Sequence, residues 1–204
     1  KYAREEGKDK LISIPNPITI AAPSEITPKE KEIIYVGRIE YNQKRTYRVV
    51  DIWKELESKY PEWRLTIVGD GDDKDDLQKR IKEYGLKRIE LIGFVNPHEY
   101  YKRSSVLLMT SEYEGVPLVI LEGMTYGCVP VVYNSFESVH DMIADGYNGV
   151  LIEKPYCTQQ FVSVMQELMD KADYLHVLSH NCRIVSEKYS VERIVEEWYQ
   201  LWNN

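Results

Sequence analysis

Six short apolar runs rich in β-branched residues punctuate the chain, and they limit its fold more than any other feature. They are Ile33–Gly37, Leu65–Gly69, Ile89–Gly93, Val106–Thr110, Val129–Tyr133 and Gly149–Ile152. Runs this short, without polar alternation and several closed by glycine, suit strands buried on both faces, as in a parallel sheet. Helical periods separate them. Val49, Val50, Trp53, Leu56 and Tyr60 form one apolar stripe that stops at Pro61, and Leu77, Ile81 and Tyr84 form another closed by Gly85. A strand–helix alternation repeated six times predicts right-handed crossovers and a doubly wound, mostly parallel six-stranded α/β sheet. Pro130 lacks an N–H for a ladder and is expected at the first residue or the edge of its strand. From Thr158 onward only helical signals remain, over about 158–171, 173–187 and 191–202.

A chain of 204 residues has the length of one domain. It can bury about 70% of its unfolded surface without covalent staples. Its 26 basic and 33 acidic residues give a net charge of −7. That weighs against nucleic acid as a partner, since binding to a phosphate backbone leaves a basic footprint. A small anion held by one or two cations stays compatible with it. The cysteines at 128, 157 and 182 are odd in number and lack metal-ligand spacing, so free thiols in a reducing, cytoplasmic compartment are expected. No apolar run is long enough to span a bilayer. The chain opens Lys-Tyr-Ala-Arg with no Met and no apolar leader, which suggests a piece of something longer. Residues 1–30 carry Pro15, Pro17, Pro23 and Pro28, a density that holds a chain extended, with a short strand expected at Lys10–Ile14. They are expected to be a linker.

Charge disappears in one place. From Gly115 to Phe136 there are 22 residues and Glu122 alone is charged, where the chain-wide 29% would give about six. A helix over Pro117–Tyr126 is expected, with Pro117 at its first position, apolar on every side and therefore buried. A carboxylate in its second turn needs a hydrogen-bond partner, either within the protein or on a ligand. Glu114, just before the helix, is favourable beside its N-terminal dipole in any case. Together the two carboxylates flank a set of free backbone N–H groups, an arrangement suited to a ligand with both hydroxyls and phosphates. A second feature follows the first strand, where Gly37 and Arg38 stand at its carboxyl end. Lys44 and Arg45 stand near the start of the next helix, the end that cations normally avoid. They are either solvated surface charges or partners of an anion in the same crevice. Both features lie at strand carboxyl ends, where open α/β sheets bind ligands.

These landmarks fall in a familiar order. The string SEYEGVPLVILEGMTYGCVPVV carries Glu114 and Glu122 as E-x7-E, and IPNPI, YVGRI with Lys44, LTIVGDG, IELIGFV and DGYNGVLI surround it over about 190 residues. The whole resembles the nucleotide-sugar-binding, C-terminal domain of family 4 retaining glycosyltransferases, which have the two-domain GT-B fold. The resemblance implies a Rossmann-like lobe over residues 31–188, with 189–204 as a helix that crosses back onto an N-terminal domain. It implies that Arg38 and Lys44 neutralise a departing diphosphate near Gly37. Backbone amides at Gly115, Val116, Leu118 and Val119 would hold the same phosphates. Glu114 would meet hydroxyls of the transferred sugar, Glu122 those of the ribose, and Phe94 and Val95 would lie beside the nucleobase. The donor would be a nucleoside diphosphate sugar, with no metal or other cofactor. A glycan or lipid-linked acceptor would bind through the N-terminal domain, in polysaccharide synthesis at the inner face of the membrane. This lobe alone would bind donor without transferring it. Two departures from the family pattern stand out. Arg38 and Lys44 are six apart where five is commoner, so Lys44 or Arg45 is the phosphate contact, and Val116-Pro117 replaces a commoner Phe-Gly.

Other patterns read as structure. Asp70-Gly71-Asp72 matches the metal-binding DxD of glycosyltransferases of another fold, but it opens a helix, where Asp is a favoured cap. Lys74 spoils both an EF-hand and a dinucleotide glycine motif. His176 and His180 have zinc spacing without a third ligand and read as a solvated helix face, and His98 and His140 suggest no triad. In the last helix Ile194, Trp198, Leu201 and Trp202 form an unusually aromatic stripe behind a Ser190 cap. If that stripe belongs on another domain, the isolated lobe is expected to self-associate. Two alternative functions share the fold, a sugar-nucleotide epimerase and a non-catalytic nucleotide-sugar-binding module. A signalling receiver does not fit, because Gly37-Arg38 and Gly93-Phe94 occupy the positions of its acids.

Overall fold

Each apolar run becomes a strand of one sheet. The strands are β1 (Glu30–Val36), β2 (Arg64–Val68), β3 (Ile89–Gly93), β4 (Ser104–Met109), β5 (Val129–Tyr133) and β6 (Val150–Ile152). The computed structural model describes residues 14–20, 23 and 27–203. In it the strands lie in the order β3-β2-β1-β4-β5-β6, every neighbouring pair parallel. Between and after them come α1 (Thr46–Leu56), α2 (Lys74–Glu83), α3 (His98–Arg103), α4 (Leu118–Thr125), α5 (Val139–Met142), α6 (Thr158–Asp170), α7 (Ala172–Ser186) and α8 (Val191–Trp202). The doubly wound α/β sheet is therefore the one that the alternation predicts. Of the expected strand at Lys10–Ile14, residues 10–13 lie outside the described residues, and Ile14 belongs to no strand.

The reason is burial on two faces. All six residues of β4 are buried, as are Ile33, Ile34 and Tyr35 of β1, because helices cover the sheet on each side. On one side α1 packs against α2 and α6, and on the other α4 packs against α7. The stripe of α1 supplies Val49, Val50, Ile52, Trp53 and Leu56, none more than 1% exposed. Each such side chain contributes about 1.5–3 kcal/mol by leaving water. Pro130 is the second residue of β5, beside Leu107 of β4 and ahead of the first β6 pairing at Val131 and Val150. Its missing N–H falls where β6 makes no pairing.

Two polar arrangements brace the ends. At the amino ends of the strands, Glu32 is fully buried and accepts from both Nε and Nη2 of Arg103 (2.7 and 3.1 Å), from Arg64 (2.8 Å) and from Thr66 (2.5 Å). Burial alone would raise its carboxyl pKa, but these donors together hold it below the usual range. At the far end of the chain, Ile18 of the proline-rich segment is buried and its N–H donates to the Tyr189 carbonyl at 2.7 Å. Ser190 then caps α8, its Oγ accepting from the Arg193 N–H at 3.3 Å.

The order β3-β2-β1-β4-β5-β6 reverses direction between β1 and β4. Connections leave these two neighbours toward opposite edges, which opens a crevice at their carboxyl ends.

Candidate functional site

The crevice is built on backbones that nearly touch. Past the ends of the strands the hydrogen bonding continues, from Gly37 N to Val68 O (3.0 Å), Ile39 N to Asp70 O (2.9 Å) and Gly69 N to Gly93 O (2.8 Å). A Cβ on Gly69 would lie 1.8 Å from the Gly37 carbonyl oxygen, and one on Gly71 would lie 2.2 Å from that of Ile39. Gly69 also has φ +151°, a backbone that side chains rarely adopt. The run Val68-Gly69-Asp70-Gly71 is thus glycine-spaced so that the loop after β2 can pass against the loop after β1. That contact presents Arg38 at the mouth.

The loop carrying Arg38 is held from inside. Tyr35 donates its hydroxyl to the Arg38 carbonyl at 2.8 Å, and Thr46 Oγ1 accepts from the Glu40 N–H at 3.2 Å. Burial pushes the Tyr35 phenol well up, so it stays a donor. The Glu40 carboxylate accepts from the N–H groups of Asn42 (2.5 Å) and Gln43 (2.7 Å). Asp73 accepts from the Tyr41 N–H at 2.7 Å. Asp73 stands just before α2 without capping it through its side chain, because its carboxylate ties two loops together. Asp70 lies on the crevice wall, ion-paired to Lys74 at 2.7 Å.

The turn delivers Lys44 onto Glu114, Nζ to Oε1 at 2.6 Å, with Gln43 Nε2 donating to the Tyr113 carbonyl at 3.0 Å. Arg45 turns the other way. It takes a left-handed conformation (φ 51°) as the residue before α1, with its Nε 4.0 Å from Glu112. Arg48 bonds the same Glu112 at 2.7 Å. The cations at the disfavoured helix end thus meet carboxylates of the loop after β4, Lys44 pairing with Glu114 while Arg45 and Arg48 share Glu112.

Across the mouth stands α4. It begins at Leu118, one residue later than the sequence suggests, with Pro117 as its cap. It is not buried all round. Ile120, Leu121, Gly123 and Met124 face the core, whereas Leu118, Val119 and Glu122 are only half-buried. The open face exists because Val119 and Glu122 line the crevice rather than the interior. Glu122 accepts from the hydroxyl of fully buried Tyr101 at 3.2 Å. Burial, reinforced by Glu122, pushes that phenol far up, so it remains a permanent donor. Among the described residues this is the one hydrogen bond to Glu122, which leaves a carboxylate with accepting capacity on a cleft wall.

The cleft measures about 820 Å³ and brings together Gly37, Arg38, Phe94, Val95, Val119 and Glu122. Phe94 stands on the rim, 89% exposed. Lys44, Glu114, Gly115 and Val116 form a shoulder outside that lining, with the Gly115 carbonyl accepting from the Ser138 hydroxyl. Sequence reasoning missed Asn96 and His98, which also line the cleft, and Tyr101, which aims Glu122. The Asn96-Pro97 turn was the one available signal. His98 N–H donates to Asn96 Oδ1 at 3.0 Å, and its ring lies 6.1 Å from that of Tyr126. His140, His176 and His180 are exposed, away from this cleft.

A doubly wound lobe with a crevice at its switch point, a cation at the first strand's end and a carboxylate on the facing helix has the architecture of a GT-B C-terminal domain. The chain belongs to the family described as glycosyl transferases group 1, whose model matches residues 18–185. It is 31% identical over 93% of its length to an uncharacterized glycosyltransferase of Haemophilus influenzae, covering 54% of that protein. It is 30% identical over 85% of its length to the lipopolysaccharide 1,6-galactosyltransferase of Salmonella typhimurium, covering 50% of it. A crystal structure of S. aureus TarM in complex with fondaparinux, α-GlcNAc-glycerol and UDP superposes with a TM-score of 0.79 at 26% identity, over 95% of this chain and 38% of that one. The chain thus spans about half the length of the curated relatives it matches. Among the described residues no helix is long and apolar enough to cross a membrane.

Proposed function

We propose that this domain is the donor-binding half of a retaining glycosyltransferase that uses a nucleoside diphosphate sugar. The observation that carries the reading is the cleft itself, with Arg38, Glu122 and Phe94 on three sides of a space sized for such a donor. The UDP in the TarM complex supports a uridine nucleotide as the first probe. In this reading Phe94 and Val95 flank the base, and Glu122, aimed by Tyr101, accepts from the ribose hydroxyls. Arg38 and Lys44 meet the diphosphate together with the amides of Gly115, Val116, Leu118 and Val119. Glu114 accepts from the sugar.

The chemistry follows from charge. As the anomeric carbon–oxygen bond breaks, its electron pair stays on the diphosphate and positive charge develops on the sugar ring. Fixed cations at the diphosphate stabilise that state more than the ground state. Lys44 must leave Glu114 to serve, which frees the carboxylate for the sugar. The acceptor would bind outside this chain, and the product would be a surface glycan or its lipid-linked precursor.

Calorimetric titration of UDP and UDP-sugars tests the division of roles. Glu122→Ala is expected to weaken both by about tenfold or more, the worth of a charge-assisted hydrogen bond. Glu114→Ala is expected to spare UDP and weaken only the UDP-sugar. Equal losses for both ligands in both variants would defeat the assignment.

A further inference from the structure

At the opposite end of the sheet from the cleft, by the amino ends of β1 and β4, lies a second cavity of about 530 Å³. Of the thirteen described residues that line it, four are Lys, Arg or His and none is Asp or Glu, in a chain whose net charge is −7. Lys31 is paired with Glu62 at 3.2 Å, but among the described residues Lys29 and Arg183 have no carboxylate partner. Lys29 Nζ donates to the Tyr101 carbonyl at 2.7 Å and lies 3.8 Å from Cys128 Sγ. Arg183 uses one donor, Nη1 to Ser179 Oγ at 3.3 Å, and that nitrogen lies 2.4 Å from where a Cβ would stand on Gly127. Both cations therefore converge on the Gly127–Cys128 turn, and most of the guanidinium's donors have no partner among the described residues. Much of the wall is apolar: Trp63, Leu168 and Met169, each at most 9% exposed, with the Trp63 indole N–H lacking a hydrogen-bond partner among the described residues.

We infer that this cavity is a binding site for a small amphipathic anion, its acidic head on Lys29 and Arg183 and its apolar body against Trp63, Leu168 and Met169. Two like charges brought together in a half-buried place repel one another and lose hydration, an arrangement that an anion relieves. The lowered pKa of the Lys29 ammonium, caused first by burial, is in keeping with this. Thr27, Ser105 and Ser179 add hydroxyls to the lining, but the continuous apolar surface of Trp63, Leu168, Met169 and Leu175 favours a hydrocarbon body.

Octyl phosphate is the probe, titrated into the intact chain by calorimetry with Trp fluorescence as a second signal. One saturable site is expected, insensitive to UDP, and weakened about tenfold or more by Arg183→Gln and by Lys29→Gln, each of which removes a charge-assisted contact. Octanol and inorganic phosphate are each expected to bind about tenfold more weakly than octyl phosphate, since each lacks half of the recognition. Octanoate distinguishes the head group: tighter binding than octyl phosphate assigns the site to carboxylates, and weaker binding to phosphate monoesters, both in support. Octanol binding as well as octyl phosphate, displacement by UDP, or an unchanged affinity in Arg183→Gln would overturn the proposal. Lys29 also bonds the Tyr101 carbonyl, so Arg183→Gln carries the test should Lys29→Gln fail to fold.

Discussion

Lys44 and Glu114 hold each other at 2.6 Å with side chains 20% and 7% exposed, and this pair governs the ligand-free site. Neither residue is dispensable to the other. Removing the lysine leaves a nearly buried carboxylate without a cation, so Lys44→Met is expected to cost about 2–3 kcal/mol in urea denaturation at pH 7. Adding Glu114→Gln should recover most of that loss, because the two sites are directly coupled. Additive losses in the double variant would show that the pair is not what stabilises the loop. Tyr101 makes a subtler prediction. Tyr101→Phe removes one hydrogen bond to Glu122 and should weaken UDP about fivefold, the net value of about 1 kcal/mol, with calorimetry as the measurement. Of the residues on the cleft wall, Arg38 and Glu122 stood out in the sequence as charges at a strand end and in an apolar run, whereas Phe94 was suggested only by the family resemblance. Tyr101, Asn96 and His98 did not stand out, since nothing local marks a tyrosine as pointing toward a carboxylate twenty-one positions on.

The loops after β1 and β2 behave as one element. With a Cβ 1.8 Å from the Gly37 carbonyl, Gly69→Ala has to push the two backbones apart. A loss of about 3 kcal/mol or more is expected, the size of overpacking and backbone strain combined, together with loss of UDP binding. Thermal denaturation with and without UDP would measure both. The strand lengths here were readable from β-branched runs, but the crossing was not, because close approach of two loops is a tertiary fact and the glycines looked like strand ends and a DxD decoy. Likewise the wall of α4 seemed buried from its composition, and only the fold shows that an apolar helix can line a cleft. At the other end of the sheet, Glu32 gives a pH prediction. Its folded pKa lies below its ordinary value of 4.5, so its contribution is complete above that value and is lost as pH falls through the depressed one. Glu32→Gln is expected to cost about 3 kcal/mol at pH 7. The gap between variant and parent should close in acid, because the parent carboxylate is then protonated too. A gap that did not narrow at all as the pH was lowered into acid would contradict this linkage.

For the molecule as a whole, the parallel, doubly wound sheet and a site at its strands' carboxyl ends follow from the alternation of runs and periods, whereas the strand order β3-β2-β1-β4-β5-β6 is read only from the fold. What surrounds the lobe was less legible. On α8 only Ile194 is buried, while Val195, Trp198, Tyr199 and Trp202 are 43–73% exposed. We propose that this face belongs against another domain. By itself the chain is expected to associate reversibly at micromolar concentration, with Trp198→Ser and Trp202→Ser together restoring a monomer in sedimentation velocity, since large exposed apolar patches mark contact surfaces. A parent chain that stays monomeric would remove that reading. The bonded Lys44 and Glu114 have one more consequence, for the speed at which a donor arrives. A closed ion pair projects almost no field beyond a Debye length of about 8 Å. A dianion approaching through solution therefore meets the field of a domain charged −7, with the lysine masked until contact. Capture should then quicken as salt is added, opposite to the slowing that marks an electrostatically steered enzyme, and stopped-flow rates across ionic strength would reveal that sign.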